Sequence, residues 1–181
     1  MPETGKILCC DDCGTVLETD ELTSGLYCSR CKYYPSMQET FISTRKIYFG
    51  HPINVFGTEL EKSLVITIYR AFPSWGIENP NQKRHSDGYE RYKKETGKGM
   101  DYYFNEVLPH CRAGVFLPFR DGKYGAGVFK EAEFIAKNGY PIWAIHTDRL
   151  ITKISPEEMK ALSVEETKAR IRDASGNLIP F

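Results

Sequence analysis

An α/β fold built on a parallel sheet, with a small cysteine-bearing module ahead of it, is what this sequence predicts. Three observations carry that expectation. Short apolar runs alternate with amphipathic stretches from residue 46 onward, the pattern of strands joined by right-handed helical crossovers. Hydrophobic residues make up 41% and aromatics 13% of the 181 residues, enough to fill the core of one ordinary domain. Five of the six cysteines lie between residues 9 and 31, which sets the first forty or so residues apart. The expected division is a zinc ribbon over 1–42 and an α/β domain over 43–181.

In the first module, Cys10-x2-Cys13 and Cys28-x2-Cys31 are separated by 14 residues, a zinc-site spacing. Two thiolates three positions apart wrap one side of a metal, and Gly14 follows the first pair where a positive φ is often required. The spacing predicts a structural zinc held by Cys10, Cys13, Cys28 and Cys31, with Cys9 as the alternative to Cys10. A redox pair or a disulfide does not explain two matched pairs. Residues 1–40 carry seven acidic and three basic side chains, and four thiolates add more negative charge. Such a surface repels phosphate backbones, so the expected role is structural or protein contact rather than nucleic-acid binding.

The remaining elements follow in order. KIYFGHPI (46–53) reads as a buried strand running into a loop. GTELEKSLVITIYRAF (57–72) places Leu60, Leu64, Ile68 and Phe72 at a spacing of four, an amphipathic helix with Thr58 as N-cap and Glu61 completing a capping box. Residues 75–79 form a second strand. The polar, glycine-punctuated stretch 81–99 predicts a mobile loop with a helical piece. MDYYFNEVLPHC (100–111) suits a helix, AGVFLPF (113–119) a fully buried strand, and RDGKYGAG (120–127) a glycine loop. A helix over 128–138 and a strand over 140–146 complete the pattern. Ser163 and Glu166 form a capping box for a short helix, and the closing NLIPF is too apolar to be free.

In a sheet of this kind ligands bind beyond the carboxyl ends of the strands. That rule gathers Tyr48, His51, Asn54, Arg120, Asp121, Lys123 and the 125–131 turn around one crevice. On a helical wheel Glu131 falls beside Val128 and Ile135, at the edge of the buried stripe, whereas Glu133 lies on the polar face. Geometry alone equally fits a first-turn glutamate that complements the helix dipole. The backbone N–H groups of Gly125 to Gly127, beside a helix N-terminus, suit a phosphate. His51 and His85 have no second histidine at ligand spacing, so no catalytic metal or other catalytic cofactor is expected.

Three motifs together resemble the nucleoside 2-deoxyribosyltransferase-like family, which includes nucleoside 5′-monophosphate N-glycosidases. KIYFG is similar to the family's first strand and matches its tyrosine to Tyr48. GMDYYF, with VFLP downstream, is similar to its aspartate helix and following strand, and matches Asp101. GAGVFKEA, with Gly139 eight residues beyond Glu131, is similar to its glycine turn and nucleophile helix. The resemblance spans residues 46–146 and leaves the cysteine module outside. It implies a flavodoxin-like (Rossmann-like) sheet of about five parallel strands, and a homodimer or higher homo-oligomer. It also implies a carboxylate, Glu131, that attacks the anomeric carbon. Tyr48 would orient it, and Asp101 would bind the sugar hydroxyl region or manage the leaving base's proton.

Six residues before the nucleophile, deoxyribosyltransferases carry aspartate and a mammalian nucleotide N-glycosidase carries serine. Here the position is Gly125, which offers only its backbone. With Arg120 and Lys123 close by, a nucleotide N-glycosidase is favoured over base exchange, and Asp121 is the alternative for base recognition. A non-catalytic nucleotide sensor is the rival outside enzymes. Twenty-four basic and 24 acidic residues cancel, which points to no polyanionic or membrane partner. No apolar run approaches the roughly 18 residues of a membrane span, and the N-terminus lacks signal-peptide features. The expected location is the cytoplasm.

Overall fold

A computed structural model describes residues 45–181 except Ser74, together with the backbone of two short strands, β1 (Glu18–Asp20) and β2 (Gly25–Tyr27). The chain divides into two compact units, Met1–Ser43 and Thr44–Phe181. In the first, β1 and β2 pair antiparallel, with Glu18 opposite Tyr27. The cysteines assigned to zinc lie outside the described residues. Among the described residues no cluster of three or more His, Cys, Asp or Glu is placed to hold a metal ion.

The second unit is α/β, with a mostly parallel five-stranded sheet compatible with a Rossmann-like fold. Its strands are β3 (Lys46–Gly50), β4 (Gly76–Glu78), β5 (Cys111–Phe116), β7 (Ile142–Ile145) and β8 (Ile151–Ile154), in the order β4-β3-β5-β7-β8. The chain runs outward from β3 to β4, then crosses back to β5 on the other side. The strand order therefore reverses between β3 and β5, and a crevice opens beyond the carboxyl ends of strands at such a point. Four strands are parallel and β8 is antiparallel. The expectation of an all-parallel sheet is corrected here: residues 146–150 form a tight turn, with Arg149 N–H donating to the His146 carbonyl, so the chain doubles back rather than crossing over.

Alternation along the strands builds two cores. Ile47, Phe49, Val115, Leu117 and Ile145 face α1 (Glu59–Ala71), which contributes Leu64 and Ile68. Thr58 caps α1, its hydroxyl accepting from Glu61 N–H at 3.2 Å. On the opposite face Tyr48, Phe116, Ile142 and Ala144 meet Val128, Ala132 and Ile135 of α3 (Ala126–Lys137). Between β5 and α3 lies the short strand β6 (Lys123–Tyr124), which pairs with β9 (Lys160–Ala161) ahead of α4 (Val164–Ile171).

Two segments differ from expectation. The stretch read as a mobile loop with a helical piece is mostly helix, the 14-residue α2 (Lys83–Thr96). Gly88, unfavourable in a helix on its own, is required there because a Cβ would collide with the Tyr102 ring. The segment read as one helix over 100–111 starts at Asp101, widens into a π-turn over Tyr103–Val107, and tightens to a 3-10 turn over Leu108–His110. Such a π-turn is a local irregularity that often accompanies a functional site.

Candidate functional site

Glu131 is 6% exposed, on the sheet-facing side of α3. Its carboxylate lies over the end of β3, and a Cβ on Gly50 would stand 3.1 Å from Oε2 and 2.5 Å from the Phe116 ring. Glycine at position 50 therefore makes the space in which the carboxylate and the ring sit. Burial raises the Glu131 pKa from 4.5 to about 8, while the nearby Tyr48 hydroxyl pulls it down. A carboxyl titrating there is largely protonated at neutral pH. It can give a proton in that form and act as a nucleophile once ionised.

Tyr48 is completely buried. Its hydroxyl lies close enough to Glu131 for each to shift the other, yet no partner meets it with the alignment of a formed hydrogen bond. Burial first, then the Glu131 charge, push the phenol well above its ordinary value, so it remains a donor. Tyr103 stands edge-on to Tyr48 at 6.5 Å between ring centroids. Burial and the charge of Glu131 also raise the Tyr103 phenol. Tyr103, to which the sequence assigned no role in the site, is thus a third member of the group. Its signal in the sequence was its place two residues after Asp101, which does not single it out over Tyr102 between them.

Asp101 is half-buried at the start of the helical turn that carries Tyr103. Its carboxylate makes no hydrogen bond or ion pair among the described residues. The neighbouring Met100 reaches within 3.6 Å of where a Cβ on Gly127 would stand, so this turn lies against the first turn of α3. Glu131, Tyr48 and the Asp101 turn therefore meet on one face of the sheet, near its switch point.

The residues expected to bind substrate are placed differently. His51 is buried, with Nδ1 3.0 Å from the Phe49 carbonyl and Nε2 3.2 Å from Glu61. Glu61 also accepts from Asn79 and Asn81 at 2.9 and 2.8 Å. Burial alone would raise the Glu61 carboxyl, but these hydrogen bonds and that from Gly57 N–H hold it below its ordinary value. This network ties the loops after β3 and β4 to the start of α1, and it occupies both ring nitrogens of His51.

Asn54, Arg120 and Asp121 all engage the chain's own C-terminal segment. Asn54 donates to the Ile179 carbonyl at 2.9 Å, and Arg120 donates to the Phe181 carbonyl at 3.0 Å. Asp121 receives both arms of Arg170 at 2.8 Å, and that contact holds its carboxyl at about 2. The Phe181 ring stacks on Phe119 with centroids 5.9 Å apart, which accounts for the apolar ending of the sequence. Lys123 pairs through its backbone with β9.

The glycine turn is also partly occupied. Gly125 is the N-cap of α3, and Ala126 N–H donates to the Thr167 hydroxyl at 2.9 Å. A Cβ on Gly125 would stand 3.1 Å from the Thr167 methyl. Thr167 of α4 thus supplies the hydroxyl cap that glycine cannot. Gly127 has ordinary room for a side chain. The part played by α4 was not legible, because its capping box predicts a helix and says nothing about which loop that helix covers.

No family model, no curated protein and no solved structure matches the chain. Among the described residues no helix is long and apolar enough to cross a membrane.

Proposed function

We propose that this protein is an N-glycosidase that cleaves the base–sugar bond of a nucleoside 5′-monophosphate or related nucleotide. The observation that carries the reading is the buried Glu131 carboxyl at the sheet's switch point, beside the Tyr48 hydroxyl and the Asp101 turn. Ionised Glu131 attacks the anomeric carbon as the bond to the base nitrogen breaks, and the base leaves with that electron pair and takes up a proton. Water then attacks the anomeric carbon of the glycosyl ester and gives up a proton to Asp101 or to solvent, and the carboxylate returns as the free sugar phosphate departs. Tyr48 orients the carboxylate. Asp101, which has no side-chain partner among the described residues, holds a sugar hydroxyl or delivers the leaving base's proton.

Asp121 is committed to Arg170. That pairing disfavours Asp121 as a base-recognising group and supports hydrolysis over base exchange. The reading includes a flavodoxin-like topology with a reversed fifth strand, a homo-oligomer, a structural zinc on Cys10, Cys13, Cys28 and Cys31, and a cytoplasmic location.

Incubation with nucleoside monophosphates and nucleosides, with and without an acceptor base, tests it by chromatography of released bases. Base release from nucleotides without an acceptor, lost in Glu131→Gln while binding persists, is the expected result. Release only with an acceptor would make the protein a base-exchange enzyme. Binding without release from any substrate would make it a sensor.

A further inference from the structure

On the face of the sheet that carries Tyr48, beside the start of β3 and the end of β4, is a cavity of about 140 Å³. It is lined by Lys46 of β3, Glu78 of β4, Arg84 and His85 of α2, and Tyr102, Glu106, Val107 and His110 of the turn before β5. Glu78 is 3% exposed and His85 likewise. Glu78 receives Lys46 Nζ at 2.7 Å, His85 Nε2 at 2.7 Å, and Arg84. Burial opposes its charge, but these three partners prevail and hold the carboxyl at about 2. The other nitrogen of His85 faces the Tyr102 hydroxyl at 3.1 Å. The carboxylate and the imidazole are thus fully engaged before any ligand arrives.

The cations are not. Two basic side chains, Lys46 and Arg84, share the single carboxylate of Glu78. Glu106 is neutralised separately, by both contacts of Arg91 at 3.0 and 2.9 Å. Among the described residues one positive charge is left over at the cavity. Lys46 and Arg84 each spend one contact on Glu78, and their other N–H groups have no partner among the described residues. An ammonium has three donors and a guanidinium five, so each can hold Glu78 and a second acceptor at once. Both side chains are about half-exposed, which leaves the cavity open for entry. At about 30 Å³ per water, the volume holds roughly four or five waters, enough for a tetrahedral oxyanion.

We propose that this cavity is a binding site for a small oxyanion of the phosphate class, held by Lys46 and Arg84 with His110 at the wall. It is separate from the Glu131 site, since Tyr48, Tyr102 and Tyr103 form an aromatic layer between the two. The anion bridges β3 to α2, and α2 in turn braces the π-turn through Tyr92 and Tyr102. Occupancy therefore stiffens the segment carrying Asp101 and Tyr103.

Calorimetric titration of the full chain with inorganic phosphate, with acetate in parallel, tests the site. Saturable phosphate binding that exceeds acetate binding is expected, weakened about tenfold in Arg84→Ala by loss of a charge-assisted hydrogen bond. Lys46→Met is the second variant should Arg84→Ala fail to fold. Arg120→Ala separates this site from any phosphate subsite near Glu131, and binding should survive it. Absence of phosphate binding, equal binding of acetate, or loss of binding in Arg120→Ala but not in Arg84→Ala or Lys46→Met would overturn the assignment.

Discussion

Replacing Glu131 by glutamine should make the protein more stable, by an amount that grows with pH. The carboxyl moves from 4.5 to about 8 on burial. At about 1.36 kcal/mol per pH unit, keeping it ionised in the fold costs up to about 5 kcal/mol. The folded value is raised, so the penalty is absent below 4.5, where both states are protonated. Between 4.5 and about 8 the unfolded chain releases its proton and the folded chain keeps it. Stability therefore falls through that interval and levels off above it. From about pH 5 to about pH 7 the loss amounts to roughly 2 to 3 kcal/mol.

Glutamine keeps the shape and does not titrate, so it escapes the loss. Urea unfolding of both proteins at about pH 5, 7 and 9, followed through Trp75 and Trp143 fluorescence, measures the difference. A gap that widens with pH is expected. A gap that is flat across pH, or that narrows, would show that Glu131 is not held in a desolvated carboxyl site. The same titration bears on catalysis, because kcat/KM for base release should climb as pH rises toward 8.

Gly50→Ala should destabilise the fold by about 1 to 3 kcal/mol, since its methyl would press on Phe116 and the Glu131 carboxylate; it should also suppress base release, and an unchanged melting curve would contradict the packing. Thr167→Val keeps the methyl contact and removes the hydroxyl that caps Ala126 N–H, so a loss of about 1 kcal/mol is expected in thermal melts. Metal analysis of the reduced full chain should find zinc, lost in Cys13→Ser; zinc-free protein would refute the ribbon.

Much of the frame was legible in the sequence because single residues announce it. Thr58 marks the start of α1, although Glu61 turns to Gly57 N–H instead of completing the expected capping box, and the apolar runs at 46–50 and 113–116 become the two central strands. Glu131 was legible as an acid beside the apolar stripe, and it is buried as that position implies. The helix α2 was legible only as a piece of helix in a loop, because its surface is almost wholly polar. Its fit depends on Gly88 meeting Tyr102, a contact between residues of no local relation. β8 was hidden because its residues alternate weakly between half-buried and exposed. The engagement of Asn54, Arg120 and Asp121 by residues 170–181 was hidden because helix capping and apolar endings predict local structure, not partners.

The π-turn at Tyr103–Val107 carries its own constraint on chain length. A wider turn accommodates one residue more than regular winding would, and here it opens at Tyr103, the second of two adjacent tyrosines that serve different neighbours. Tyr102 turns to His85, and Tyr103 turns to Tyr48. The wider turn absorbs that extra residue, so losing one residue while the wide turn persists would rotate everything after it by roughly 100°. Val107 and Leu108 would then leave the core, although no side chain had changed its chemistry. In this segment spacing is as informative as identity, and variants that differ by one residue in length should be far less tolerated than variants that differ in side chain.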